Sequence, residues 1–280
     1  MPDEPLKSEL PASFTFSQSS LQDYADCPRR FQLRSIEQLA WPAVETEPII
    51  ENDRRQQEGQ LFHRMVQQHL LGLPAEKLAR LASTPELARW WENYLGCELD
   101  ITGCAQYTEL VLVAPVGPYR LLAKYDLVAV KPAGNAIIFD WKTYHKRPKD
   151  EWMAARLQTR VYRALLIQAG AYLNNDNPFL PEQIEMTYWY AGFPSEPARF
   201  PYTASQYKRD WDALTSMINA ISNHRYFSLT EDEKKCAYCP YRSYCNRGEK
   251  AGALDESEAG MDAAAAEFNI NFEQIAEIEF

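Results

Sequence analysis

Three consecutive β-rich runs occupy the middle of this chain: 107–114 (YTELVLVA), 119–131 (YRLLAKYDLVAVK) and 135–143 (NAIIFDWKT). Short Pro/Gly turns separate them, the second being Pro132-Ala133-Gly134. Turns this short join antiparallel neighbours, so the runs read as a meander. Helical patterns flank it. Residues 17–38 read as one helix that Ser17 or Ser19 can cap, 54–72 as an amphipathic helix, and 85–95 as a third. Residues 40–52, with two prolines and three acids, read as a loop. After the meander come a long helix at 150–169, a strand at 184–191 and a helix at 204–222. This order implies one α/β domain with a mixed β-sheet covered by helices. With 280 residues, 46% of them hydrophobic, the chain can bury a sizeable core.

The formal charge of −10 is unevenly spread. Residues 249–280 hold nine acids and one base, a net of −8, which leaves only −2 for the rest. Between Lys142 and Arg163 seven bases oppose two acids. The chain therefore divides into a body at 14–248 with a basic strip and an acidic tail at 249–280, expected to be dispensable for folding. No apolar run is long enough to span a membrane. The first 20 residues lack an apolar stretch of signal-peptide type, so a cytoplasmic setting is expected.

The sharpest inference comes from the turn at 132–134. If those three residues form the loop, Lys131 faces Asn135, and counting outward Asp126 faces Asp140. Opposed Cβ atoms in such a pair lie about 5 Å apart, where two carboxylates repel unless a cation sits between them. Lys142, two residues beyond Asp140, shares its face. Two acids and a lysine on one patch suit a divalent-metal hydrolytic site, with Mg²⁺ or Mn²⁺ on hard oxygen ligands. The plain alternative is a solvated hairpin face with an incidental ion pair.

Cys236, Cys239 and Cys245 form a C-x2-C-x5-C cluster, and Cys27 lies far upstream in YADCPRRF. In a reducing compartment clustered cysteines suggest a metal centre before disulfides. The spacing alone is compatible with zinc or with a [4Fe-4S] cluster. Cys97 and Cys104 read as ordinary core or surface thiols.

Asp126…Asp140-Trp141-Lys142 resembles the signature of the PD-(D/E)XK nuclease superfamily. Other segments resemble its RecB-like, AddB-type branch. Gly59-Gln60-Leu61-Phe62-His63 is similar to a G-x-x-x-H helix motif. Gln158-Thr159-Arg160-Val161-Tyr162 is similar to a Q-x-x-x-Y motif. Residues 17–34 resemble the segment S-x-S-x-L-x-x-Y-x-x-C-P-x-x-F. Ala123 departs from the branch, which often has Gly three residues before the first acid.

The resemblance implies a restriction-endonuclease-like core with His63, Asp126 and Asp140 as metal ligands. It implies that Lys142, Gln158 and Tyr162 act at the scissile phosphate. It also implies a [4Fe-4S] cluster on Cys27, Cys236, Cys239 and Cys245 that ties the N-terminal helix to the C-terminal segment. The expected activity is a Mg²⁺- or Mn²⁺-dependent deoxyribonuclease, an exonuclease on single-stranded DNA or duplex ends, in repair or recombination. Arg156, Arg160 and Arg163, with Lys146, Arg147 and Lys149, are expected to follow a phosphate backbone. No Walker A pattern is present, so unwinding would fall to a helicase partner. The alternatives are a catalytically silent DNA-binding or helicase-partner module of the same fold, and a nuclease of CRISPR adaptation.

Overall fold

The computed structural model describes residues 10–40 and 47–248, with the side chains of residues 47–53 and Tyr238 left aside. The acidic segment 249–280 and residues 41–46 of the expected loop lie outside the described residues.

The chain opens with a short strand, β1 (Thr15–Ser17), which the sequence reading did not foresee. Helix α1 (Gln18–Asp26) follows. Ser17 caps it reciprocally with Ser20: the Ser20 N–H donates to Ser17 Oγ and the Ser17 N–H donates to Ser20 Oγ. The helix expected over 17–38 breaks at Cys27, whose extended backbone (φ −159°, ψ 108°) precedes Pro28. A residue before proline is pushed out of the α region, which explains the break. Helix α2 (Pro28–Phe31) and a π-helical turn (Gln32–Ile36) complete the segment.

Helix α3 (Glu47–Leu70) starts earlier than expected, inside the stretch read as a loop. Pro48 falls in its first turn, where a missing N–H costs no intrahelical bond. Helices α4 (Ala75–Ala79) and α5 (Pro85–Leu95) follow, the latter capped by Thr84 and bounded as expected.

The meander is present as β2 (Ala105–Val116), β3 (Tyr119–Val130) and β4 (Ala136–Lys142). The helix expected over 150–169 is two helices, α6 (Asp150–Ala155) and α7 (Leu157–Ala169), divided at Arg156 (ψ 144°). Thr159 Oγ1 donates to the Met153 carbonyl at 2.6 Å, replacing the bond a continuous helix would have made there. Strand β5 (Ile184–Tyr190), a further short strand β6 (Ala198–Pro201) and helix α8 (Ala204–Asn223) finish the core.

The sheet is mixed, as expected. β2–β3, β3–β4 and β5–β6 pair antiparallel, whereas β1–β3 and β4–β5 pair parallel. β2 covers one edge of β3. β1 pairs with residues 120–122 and β4 with residues 127–130 of β3. The parallel β4–β5 pair requires a crossover, supplied by α6 and α7. Two cores result. The larger lies on the α7 face and includes Tyr125, Val128, Ile138, Val161, Leu165 and Tyr188. The second lies under α3 and α5 and includes Phe62, Met65, Trp90, Leu127, Phe139 and Trp189. Among the described residues no helix is long and apolar enough to cross a membrane.

Candidate active site and cysteine cluster

The β3–β4 hairpin has the register expected from its turn. Gly134 takes a positive φ of 84°, and the Lys131 N–H donates to the Asn135 carbonyl at 2.8 Å. Val130 faces Ala136, and the ladder runs back to Leu127 opposite Phe139. The next positions are Asp126 and Asp140. The ladder stops at this point, and Asp126 Oδ2 instead accepts the Trp141 N–H at 2.9 Å. The two acids therefore stand where the strands part.

That opening is reached from both faces. From the α3 side, His63 Nδ1 comes within 3.3 Å of Asp126 Oδ2. From the α7 side, Gln158 Nε2 donates to Asp140 Oδ2 at 2.6 Å. Lys142 Nζ lies 2.6 Å from Asp140 Oδ1 and donates to Gln158 Oε1 at 3.0 Å. Tyr162 is buried one turn beyond Gln158. Its ring lies 4.8 Å from that of Tyr125, whose hydroxyl donates to the Tyr162 carbonyl. The structure thus gathers all six residues singled out from the sequence.

One device behind this was not legible. Along β3, Leu121, Ala123 and Tyr125 enter the larger core, and then Val128 and Val130 do. Leu127 and Ala129 enter the other core. The in–out alternation therefore steps once, beside Asp126. β2 steps with it: Leu110, Leu112 and Ala114 contact the larger core, and so does Tyr107. At the step Glu109 adopts a positive φ of 53° and pairs with Lys124. The step keeps Asp126 in phase with Val128 and Val130, on the face of Asp140.

The charges are strongly coupled. Burial opposes the charge on His63, but the Asp126 carboxylate outweighs it and raises the imidazole pKa. Burial likewise pushes Asp126 up, yet His63 and the Trp141 N–H hold it below the ordinary value. Asp140 is raised by burial, and the Asp126 charge adds to this against the pull of Lys142. Lys142 is raised: Asp140 prevails over burial. Tyr162 is raised well above the ordinary phenol value by burial and then by the two acids. Arg156, Tyr144 and Tyr188 enclose Lys142. Its Nζ lies 5.2 Å from the Tyr188 ring centre and 5.9 Å from that of Tyr144. Arg156 stacks on Trp152 at 4.7 Å, and its Nη1 donates to the Tyr144 hydroxyl at 3.4 Å.

The expected phosphate-tracking role fails for two arginines of α7. Arg160 Nε lies 2.8 Å from Asp210 Oδ1 on α8. Arg163 is buried over the Tyr202 ring at 4.2 Å and bonds the carbonyls of Thr159 and Pro201. Both anchor α7 to its neighbours. Arg147 is also engaged, with Asp150 and the Glu196 carbonyl. Lys146 and Lys149 are the exposed lysines of the strip.

Cys27, Cys236, Cys239 and Cys245 line one small cavity, together with Arg30, Lys235 and Arg242. The break before Pro28 gives Cys27 its place there. Burial raises Cys236, Cys239 and Cys245, and the charges of neighbouring thiols add to it; Cys245 is pushed up to about 11. Asp26 pairs locally with Arg30 at 2.6 Å and, across the fold, with Lys235 at 3.0 Å. Among the described residues, no group of three or more His, Cys, Asp or Glu side chains is gathered closely enough to hold a metal ion as it stands. Cys97 and Cys104 are half-buried at the margin of the second core, as ordinary thiols would be.

A family model described as the PD-(D/E)XK nuclease superfamily matches residues 15–246. No curated protein matches. Among solved structures, a protein from Eubacterium rectale named as a proposed exonuclease is 8% identical, with a TM-score of 0.49, covering 76% of this chain and 84% of its own. A protein named SSO0001 is 13% identical, with a TM-score of 0.37, covering 82% of this chain and 85% of its own.

Proposed function

The chain belongs to the PD-(D/E)XK nuclease superfamily, and from that premise we propose that it is a metal-dependent deoxyribonuclease of the RecB-like, AddB-type branch. The observation that carries this reading is the meeting of His63, Gln158 and Tyr162 with Asp126, Asp140 and Lys142 where β3 and β4 part. The carboxylate pair supplies hard oxygen donors that suit Mg²⁺ or Mn²⁺, and the imidazole adds a borderline nitrogen donor beside them. The raised pKa of Asp140, due to burial and the nearby Asp126 charge, is the strain that a divalent cation relieves. Asp126, Asp140 and His63 would hold the ion. When bound, it supplies Lewis acidity at the phosphoryl oxygen and acidifies a water.

The remaining roles follow from the protein's own groups. Lys142 is held charged at neutral pH, so it has no lone pair with which to act as a base. It serves as a donor that orients the attacking water or offsets charge on the phosphate. Gln158 bridges Asp140 and Lys142 and fixes both. Tyr162 stays a neutral phenol at working pH and can only donate to phosphate or accept from water.

The reading extends to single-stranded DNA or duplex ends as substrate, a role in repair or recombination, a helicase partner and a cytoplasmic setting. Nothing in the chain specifies CRISPR adaptation. The nuclease domain is assigned to residues 14–248 and a separable acidic tail to 249–280. A [4Fe-4S] cluster is assigned to Cys27, Cys236, Cys239 and Cys245, joining the two ends of the fold. In support, the four thiols share one cavity and crowd one another's charge, which a cationic centre offsets. Arg30 and Arg242 line the same cavity and suit a net negative thiolate cluster.

The test is cleavage of labelled single-stranded and duplex DNA with Mg²⁺, Mn²⁺ or EDTA. Wild type should cut with either metal, and neither EDTA samples nor Asp140→Asn should cut. Binding without cutting by folded, metal-loaded wild type would establish the silent-module alternative. Anaerobically purified protein should be brown and contain iron; a colourless zinc protein would overturn the cluster assignment.

A further inference from the structure

Arg156 is the third arginine of the expected basic strip, and unlike Arg160 and Arg163 it is built into the surroundings of Lys142. It sits at the break between α6 and α7, with φ −59° and ψ 144°. In an unbroken helix residues 156 and 158 would point about 200° apart, because each residue turns the helix by about 100°. The extended backbone at Arg156 removes that constraint. Gln158 bonds Lys142, and Arg156 reaches the hydroxyl of Tyr144, whose ring flanks the same lysine. Two side chains that a continuous helix would send apart thus converge on one ammonium.

That ammonium has two seats within reach. On one side are Asp140 at 2.6 Å and Gln158 Oε1 at 3.0 Å. On the other are the rings of Tyr188 and Tyr144, with centres 5.2 and 5.9 Å away. A ring within about 6 Å attracts a cation, so the aromatic side competes with Asp140 for the lysine. Arg156 stands at that aromatic side. Its Nη1 lies 3.4 Å from the Tyr144 hydroxyl, and its charge acts on both Lys142 and Tyr188. Stacking on Trp152 at 4.7 Å holds the guanidinium in place. Arg156 is 7% exposed, so solvent ions screen it little. A fixed cation there repels a lysine that swings toward the rings and leaves the Asp140 seat favoured.

We propose that Arg156 is a positioning residue of the nuclease reaction: it denies Lys142 the aromatic seat and keeps the ammonium beside Asp140. Its catalytic consequence rests on the nuclease reading, whereas the seat of Lys142 can be observed without substrate.

The test reads both. In metal-free, full-length ¹⁵N-labelled protein, the Lys142 ammonium resonance is assigned by its loss in Lys142→Arg. It should shift or broaden in Arg156→Met, which removes the charge at similar length, and stay near its wild-type position in Arg156→Lys. Arg156→Gln keeps a donor for Tyr144 and should behave as Arg156→Met, which guards against a methionine variant that fails to fold. In steady-state cleavage of a labelled dT oligonucleotide with Mg²⁺, the neutral variants should lower kcat about tenfold and change KM by less than about threefold. Arg156→Lys should recover most of kcat. An unchanged ammonium resonance in the neutral variants overturns the assignment. So does a lowered melting temperature with wild-type kcat, which would make Arg156 a brace for α6 alone, and so does a lysine variant as slow as the neutral ones. A resonance that moves as expected while wild type cuts no DNA would keep Arg156 as the residue that seats Lys142 and strike the nuclease reading instead.

Discussion

Lys142→Ala tests the site through stability before any activity is measured. In wild type Lys142 lies 2.6 Å from Asp140, and the two side chains are 11% and 4% exposed. Removing one partner of a buried ion pair costs roughly 3–5 kcal/mol, because the other charge is left buried and uncompensated. Asp140 keeps the bond from Gln158 Nε2, and it can take up a proton. The expected loss in EDTA is therefore at the low end, about 3 kcal/mol, or a fall in melting temperature of about 6–12 °C for a domain of this size. The pH dependence fixes the cause. An Asp140 pKa raised in the folded state means that the folded protein binds more protons, so its penalty grows as pH rises above the unfolded carboxylate value. The loss should be smaller at pH 5.5 than at pH 8. Changing Asp140 to Asn in the Lys142→Ala background removes the stranded charge and should restore part of the melting temperature. Mg²⁺ should restore more in Lys142→Ala than it adds to wild type. A shift below about 2 °C in EDTA, or a double variant that melts below the single one, would refute the coupling.

Metal affinity should rise with pH through the raised His63 pKa, above the ordinary imidazole value of about 6.5, because an imidazolium cannot ligate. Mn²⁺ titrations at several pH values read this directly, and His63→Ala should flatten the dependence as well as weaken binding. Cys27→Ser should lose as much iron, and as much absorbance of the anaerobic protein, as Cys239→Ser; full iron content in Cys27→Ser would remove it from the ligand set. Arg163→Ala should lower stability by about 2–3 kcal/mol without changing the salt dependence of DNA binding, since Arg163 is buried against Tyr202 and Asp210. Lys146→Ala/Lys149→Ala should do the reverse, reducing the salt slope at nearly unchanged melting temperature.

What the sequence disclosed was local. Pro132-Ala133-Gly134 sets a hairpin register, and that register alone brings Asp126 opposite Asp140. The pattern at 85–95 gives α5 its bounds, and the β-rich runs mark four of the strands. The unforeseen features depend on partners distant in sequence. β1 is three residues long and exists because β3 leaves an edge at residues 120–122 for it. β6 exists by pairing with β5. The division of α6 from α7 depends on where Thr159 finds an acceptor. Arg160 and Arg163 resemble a basic strip in sequence, and only the docking of α8, which brings Asp210, makes them structural. A charge run in a sequence gives a sign and no partner.

The step in alternation at Asp126 shows how far a register argument reaches. Pairing across β3–β4 correctly predicts which positions face each other. It does not predict which face of the sheet they occupy, because that phase is inherited from the rest of β3. Counted outward from Leu121, Ala123 and Tyr125, strict alternation sends Asp126 toward the core under α3 and α5. Counted inward from Val128 and Val130, it sends Asp126 toward α7. Both counts begin from buried residues, and they conflict only at the acid. The fold resolves the conflict with a paired kink. Glu109 takes a left-handed conformation on β2, where a non-glycine residue carries a cost of order 1 kcal/mol, and its pairing with Lys124 offsets part of that cost. Strain at this point is what local structure consistent on either side of a site requires when the site itself needs the other phase. The ladder between β3 and β4 ends at the same place, so the backbone N–H of Trp141 becomes free to hold Asp126. The opening that admits His63 from one face and Gln158 from the other follows from that single break in regularity.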